Sequence, residues 1–428
     1  MISAIRVSDY LAVRLHSTSA VAVTRPLRLA ILLDVSDSMA HNRLDAVKCT
    51  LHAARALWLP DDRVTLVTFG ERATLVLDNH SMDAAGQESF YNTVDALQTD
   101  GCTDLGAGLV CLAETVQANG YDQVLLLTDG DVNRGIQSIA GLRTMALNLG
   151  IPVGALGYGA DHNRVLLRDL ALTSRGAYIY CDSDEVLPTA IGGMITELRT
   201  QVCAKATVTV DSGDWICQEL GSTDTDRSFV LGSIVPDRDY WVVYRSVTAA
   251  AENPVIRCDA PGASAAGPTF LDNGDLLKEQ VLRCRVAALL GQTSDCLESH
   301  RDTTVCLAAL RALEAEIAAE SAEFRLRSLP MHLQAELVGL IGEMTRPHRS
   351  VSPALMARMS SQTAYLSSQR GPSTADPSND LFNSPTVRVG SNQTRAAYDS
   401  SRGRGRRAPS PPPSPSPYPM SPPPIRRV

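Results

Sequence analysis

Aromatic residues make up only 5% of the 428-residue chain, with three tryptophans and six phenylalanines. That scarcity excludes a stacking platform for single-stranded nucleic acid, which sets a ring against successive bases. No run approaches the ~18 apolar residues that a helix needs to cross a bilayer. The most apolar stretch, near Val124–Leu127, has the length of a buried strand. No C-x-x-C pair occurs, so a RING or zinc ribbon built on paired thiolates is excluded. G-x-x-x-x-G-K-[ST], G-x-S-x-G and H-E-x-x-H are also missing, which removes the P-loop, the nucleophile elbow and the zincin helix. The opening segment MISAIRVSDYLAVRLHSTSAVAV has no basic stretch followed by a long apolar core and does not read as a secretory signal. A net charge of −8 gives no general electrostatic grip on nucleic acid. Neither nucleic acid nor a membrane is an expected partner.

What remains is ordinary globular material, 44% hydrophobic and 20% charged, long enough for two or three domains. Ten cysteines lie scattered, as expected of reduced thiols in an intracellular, cytoplasmic protein. Residues 27–200 alternate short apolar runs with amphipathic stretches. Strands are expected at Leu29–Leu33, Val64–Phe69, Ala73–Leu77, Val124–Leu127, Ile151–Leu156 and Ala177–Tyr180, with helices between them and a last helix over 184–198. Runs such as LAILL and VLLL are apolar at every position, which fits strands covered on both faces. The class is therefore α/β, a doubly wound, mostly parallel, Rossmann-like sheet.

Residues 201–261 change period, with strand-like alternation at Ala206–Val210, Ser228–Leu231 and Tyr240–Arg245. They read as a small β-sandwich. The strands of residues 1–26 cannot close a sheet alone and are expected to join it. Residues 270–346 return to helical spacing, with one long helix over Thr304–Arg327 packed on the sandwich or the α/β domain and another over Met331–Met344. Residues 347–428 are rich in Ser, Pro and Arg and read as disordered, because so little apolar surface cannot offset ordering entropy.

The chemistry concentrates in Asp34-Val35-Ser36-Asp37-Ser38, a D-x-S-x-S motif directly after the first buried strand. Open α/β sheets place their ligands at this C-terminal edge. Two other segments are expected at the same edge. These are Gly101-Cys102-Thr103-Asp104, before a helix, and Thr128-Asp129-Gly130, after a strand. Oxygen-only donors with few charges suit a hard cation, Mg²⁺ or Mn²⁺, rather than zinc. The plain alternative is that such residues only cap helices, with Thr103 capping the one at Leu105.

In these segments the chain resembles the von Willebrand factor A family, whose metal-ion-dependent adhesion site is written D-x-S-x-S, then Thr, then Asp. The resemblance implies that Ser36, Ser38 and Thr103 give hydroxyl oxygens to a Mg²⁺ ion, with Asp34 and Asp129 holding it directly or through water. Asp37 departs from the family's usual Gly, adding negative charge but removing no ligand. It implies further that the ion takes an Asp or Glu side chain of a protein partner, that the last helix can move on binding, and that the protein is not an enzyme. The order of parts is similar to that of inter-α-trypsin-inhibitor heavy chains and plant RING-type ligases, without the RING.

Other residues have blander readings. Cys296 and His300 stand four apart near Cys284 and Cys306, a spacing poor for zinc and ordinary for core thiols. Cys49 and His52 read as structural. A phosphatase of the haloacid-dehalogenase type needs an Asp where Ser36 stands. The tail offers P-x-x-P segments for SH3- or WW-type grooves and Ser-Pro sites (Ser384, Ser410, Ser414, Ser416, Ser421) for proline-directed kinases. The run Arg402–Arg407 leaves a nuclear address or a weak RNA contact open. The second functional reading is therefore a scaffold or ligase-type adaptor that binds through its helical region and tail, with the metal site vestigial.

Overall fold

The computed structural model describes residues 1–17, 25–40, 42–129, 131–159, 162–220, 226–248, 253–260, 267–346, 352–369 and 385–405. The chain opens with a hairpin, β1 (Ile2–Val7) and β2 (Tyr10–His16), turning at Ser8 with φ 57°. An α/β domain follows, formed by β3 (Arg28–Asp34), α1 (Arg43–Ala53), β4 (Arg63–Phe69), β5 (Ala73–Ser81), α2 (Ala84–Ala96), α3 (Leu105–Asn119), β6 (Gln123–Thr128), α4 (Ile139–Asn148), β7 (Val153–Tyr158), α5 (Arg164–Ser174), β8 (Tyr178–Cys181) and α6 (Val186–Thr200). Its sheet runs β5-β4-β3-β6-β7-β8, parallel throughout except for the antiparallel edge strand β5.

The apolar runs explain the central position of β3. Leu29, Ile31 and Leu33 enter the core beneath α1 and α6, while Ala30 and Leu32 enter the core on the other face. A strand with period-two side chains and two covered faces must be apolar at every position. Truncating Ile31, fully buried, to alanine removes roughly 2–5 kcal/mol.

The chain then returns to its first hairpin. β9 (Ala206–Val210), β10 (Trp215–Cys217), β11 (Ser228–Leu231), β12 (Asp239–Ser246), β13 (Ile256–Asp259) and β14 (Thr269–Leu271) form two sheets, ordered β10-β12-β2-β1-β14 and β11-β9-β13. Leu11 and Val13 of β2 share one core with Val208, Trp215 and Tyr244. Asp239 of β12 stands opposite His16 of β2, so the α/β domain is inserted between two neighbours in one sheet.

The remaining elements are α7 (Gly274–Glu298), α8 (Thr304–Ala319), α9 (Ala322–Arg325), α10 (Ser328–Met344), α11 (Pro353–Ser368) and α12 (Pro385–Gly405). The long helix expected over Thr304–Arg327 is broken, because Ser321 accepts from the Phe324 N–H and starts a new turn. Leu310 and Ile317 of α8 pack on Leu282, Leu333 and Leu337, a core of the helices themselves, and not on the sheets as expected. Arg283 of α7, wholly buried, ties three parts together. It donates to both oxygens of Glu219, at 2.9 and 2.5 Å, and to the Leu366 carbonyl at 2.6 Å.

The expectation of disorder over 347–428 is corrected for two segments. α11 starts on the Ser352 cap with Pro353 following, and buries Ala357, Met359, Ala364, Tyr365 and Leu366. Its Ser361 hydroxyl accepts from the Tyr180 N–H at 3.1 Å, covering the edge strand β8. α12 lies along α6 and α1, with Tyr398 buried and Arg395 paired to Glu185 at 2.8 Å. Composition summed over the whole tail hid these short apolar sets. The Pro-rich run from Pro409, the Ser-Pro sites and the last residues of the Arg402–Arg407 run lie outside the described residues. Among the described residues, no helix is long and apolar enough to cross a membrane.

Candidate metal centre

Three loops meet where β3, β4 and β6 end. Asp34 is the last residue of β3 and is fully buried. Beyond it the chain continues against β4, with the Val35 N–H donating to the Phe69 carbonyl at 2.8 Å, and then makes a single 3₁₀ turn at Asp37–Met39. That turn is sewn to the second loop, since the Asp37 N–H donates to the Gly101 carbonyl at 2.8 Å and the Gly101 N–H returns to the Asp37 carboxylate at 3.2 Å. Gly101 sits at φ +57°, where a side chain is strained. The second loop is sewn in turn to the third. The Thr103 N–H donates to the Asn133 side chain at 2.8 Å, and the Thr103 carbonyl accepts from the Asn133 and Arg134 N–H groups. Gly135, at φ +66°, lets that third loop pass the Asp104 carboxylate, which a Cβ would meet at 2.4 Å.

Within this frame four of the five expected residues form one hydrogen-bonded chain. Asp34 accepts from the Ser36 N–H at 2.8 Å and from the Thr128 hydroxyl at 2.5 Å. The hydroxyls of Ser36 and Ser38 lie 2.9 Å apart, and Ser38 donates to Asp129 at 2.7 Å. Asp34, Ser36 and Asp129 are buried, whereas Ser38 is exposed at the mouth. Thr103, 2% exposed, joins through its backbone. Among the described residues its hydroxyl makes none of the bonds that link the other four.

Two members of the site were not picked out in the sequence. Thr128 was named within the Thr128-Asp129-Gly130 segment but given no role of its own, and it donates its hydroxyl to Asp34. Arg43 pairs its guanidinium with the Asp129 oxygen that Ser38 leaves free. The clue was local: an arginine opening α1 opposes the helix dipole, so something outside the helix must hold it.

The electrostatics favour an added cation. Burial pushes the Asp34 carboxyl up to about 6; the hydrogen bonds from Thr128 and Ser36 pull it back, and the charge of Asp129 raises it. Two buried carboxylates with one partly exposed guanidinium leave negative charge short of a counterion. Two carboxylates and three hydroxyls form an all-oxygen set, which fits Mg²⁺ or Mn²⁺.

Residues 29–131 match the model of the von Willebrand factor type A domain, a span that contains all five residues. An uncharacterized protein of Synechocystis is 27% identical over 162 residues, covering 37% of this chain and 38% of that protein. The uncharacterized protein YfbK of Escherichia coli is 26% identical over 164 residues, 36% of this chain and 28% of that protein. The matches thus span little more than a third of these curated relatives, or less. Among solved structures, a von Willebrand factor type A protein from Catenulispora acidiphila superposes with a TM-score of 0.62 at 16% identity, covering 86% of this chain and 94% of that one. The ArnB paralog VWA2 of Sulfolobus acidocaldarius gives 0.57 at 13% identity, covering 85% and 94%. These likenesses are of fold and extend well past the α/β domain. The family match and the shared fold together support a von Willebrand factor type A domain in this chain.

Proposed function

We propose that this domain binds a divalent cation, Mg²⁺ or Mn²⁺, through Asp34, Ser36, Ser38, Thr103 and Asp129, and captures a protein partner by one of its Asp or Glu side chains. The observation that carries this reading is the hydrogen-bonded run Asp34–Ser36–Ser38–Asp129, buried at both ends and open at Ser38. Asp34 supplies buried charge fixed by Thr128 and cannot rotate away without losing two hydrogen bonds. Ser38 presents its hydroxyl at the mouth, where an incoming carboxylate arrives. Thr103 is held in place by the Asn133 side chain. When bound, the ion supplies a Lewis-acidic position for the partner's oxygen. Domains of this type commonly mediate protein–protein contacts, and capture without catalysis fits a site whose residues bond to one another. The ten free cysteines support an intracellular setting.

Isothermal titration of Mg²⁺ and Mn²⁺ into the full chain tests the reading, beside Ser38→Ala, a substitution at an exposed position whose folding circular dichroism checks. Saturable heat that weakens in the variant supports it; no heat in either protein ends it. Affinity capture with and without EDTA then tests the partner.

One observation favours a second reading. Arg43 already neutralises Asp129, as a resident cation would, so the site could be vestigial and binding could run through the helical region and tail as a scaffold or adaptor. The same titration separates the two.

A further inference from the structure

Cys296 lies in the last turns of α7 and Cys306 in the first turn of α8. Their sulfurs are 3.5 Å apart across the turn between the helices. The turn is tightly determined. The Arg301 N–H donates to the Cys296 carbonyl at 2.9 Å, His300 takes φ 52°, and Asp302 accepts from both the Thr304 N–H, at 2.9 Å, and its hydroxyl, at 2.5 Å. Cys306 is 8% exposed, whereas Cys296 is half-buried and reachable. Among the described residues, no group of three or more His, Cys, Asp or Glu side chains is placed to hold a metal, so the pair is not part of a zinc site.

The neighbours of Cys296 give the pair its significance. Asp295 pairs with Arg168 at 2.5 Å, and Glu298 pairs with Arg164. Both arginines belong to α5 of the α/β domain. The end of α7 therefore holds the α/β domain with one face and presents a thiol to α8 with another.

We infer that Cys296 and Cys306 are a redox modification site, closing to a disulfide that fixes the α7–α8 turn and with it the ionic anchor to α5. Closure needs the sulfurs to approach from 3.5 Å to the ~2.05 Å of a disulfide. The oxidant is a small-molecule disulfide of the glutathione class. The Cys296 thiolate attacks one of its sulfurs, the S–S bond breaks, and one thiolate leaves. The Cys306 thiolate then attacks Cys296 in the mixed disulfide and expels the second. The two protons given up by the cysteines end on the two leaving thiols, and two electrons pass from the protein to the oxidant. Cys296 makes the first attack because it is the more accessible of the two, and burial, which pushes the Cys306 thiol up, disfavours Cys306 in that step.

The test treats the native full chain with oxidised glutathione, blocks remaining thiols, and digests with trypsin. Arg301 lies between the two cysteines, so the peptides Val286–Arg301 and Asp302–Arg311 separate unless a disulfide joins them. The expected result is that joined pair, released by dithiothreitol, absent in Cys296→Ser, and accompanied by a higher thermal midpoint in the oxidised wild type than in the same protein reduced. Separate glutathione adducts on the two cysteines, or alkylation of both after an oxidation that modifies other thiols, would overturn the inference.

Discussion

Arg43 and Asp129 form an ion pair in which the carboxylate has no exposed surface and the guanidinium is about one-third exposed. The arginine takes one Asp129 oxygen while Ser38 takes the other, so an arriving cation must displace or share both donors. Replacing it should ease that competition. Arg43→Gln is expected to bind Mg²⁺ roughly tenfold more tightly, the ~1–1.5 kcal/mol left of a close charge repulsion after solvent screening. Titration calorimetry reads this directly. Weaker binding in the variant would instead make Arg43 a support that orients Asp129.

The buried pair of Arg283 and Glu219 makes a contrasting case, with no exposure at all on the arginine side chain and 1% on the glutamate. Removing one partner leaves an uncompensated buried charge, so Arg283→Met should cost about 3–5 kcal/mol. Removing both, as Arg283→Met with Glu219→Leu, should recover most of that loss. Urea titrations of the three proteins measure it, and a double variant as unstable as the single would deny the pair its role.

His332 of α10 meets Gln362 of α11, with the Gln362 amide 2.9 Å from its Nε2. An amide NH₂ can only donate, so that nitrogen is unprotonated. Burial lowers the ring below its ordinary value near 6.5, against the pull of Glu336. The unfolded chain therefore takes up the proton first as pH falls. Stability is complete above about pH 6.5 and declines below it until the folded ring also protonates. The urea midpoint should drop between pH 7 and 5, with a shallower drop in His332→Gln. Parallel profiles for the two proteins would contradict the assignment.

Tyr398 is the buried anchor of α12 against the α/β domain. A helix containing three glycines has little intrinsic stability, so its order depends on this docking. Tyr398→Ala should therefore free α12 and speed tryptic cleavage at Arg395 several-fold, with little change in cleavage elsewhere. Unchanged cleavage at Arg395 would mean that the Glu185 pair alone suffices.

Much of the α/β domain was legible because β3 and β6 must be apolar on both faces, and LAILL and VLLL state that in four or five letters. The three loops that meet at Asp34, Thr103 and Asp129 could be foreseen because strand ends and helix starts bound them. Arg43 was not, because an exposed-looking arginine on a helix carries no pattern of its own, and only its poor fit to the helix dipole betrays it. The docking of α11 was hidden for another reason. Ser361 and Gln362 count as polar in any composition, yet one is buried beside β8 and the other pairs with His332.

The insertion of the α/β domain between β2 and β12 also sets the order in which the molecule can be completed on the ribosome. β2 ends at His16 and its neighbour begins only at Asp239. At a synthesis rate of ~5–20 residues per second, the first hairpin waits about 10–45 seconds for the strand that covers its open edge. The intervening domain can fold in that time, and its last helix then delivers the chain back to the waiting hairpin. A hairpin made before the α/β domain thus waits for a partner strand made after it, and during the interval its bare strand edge is open to wrong pairing.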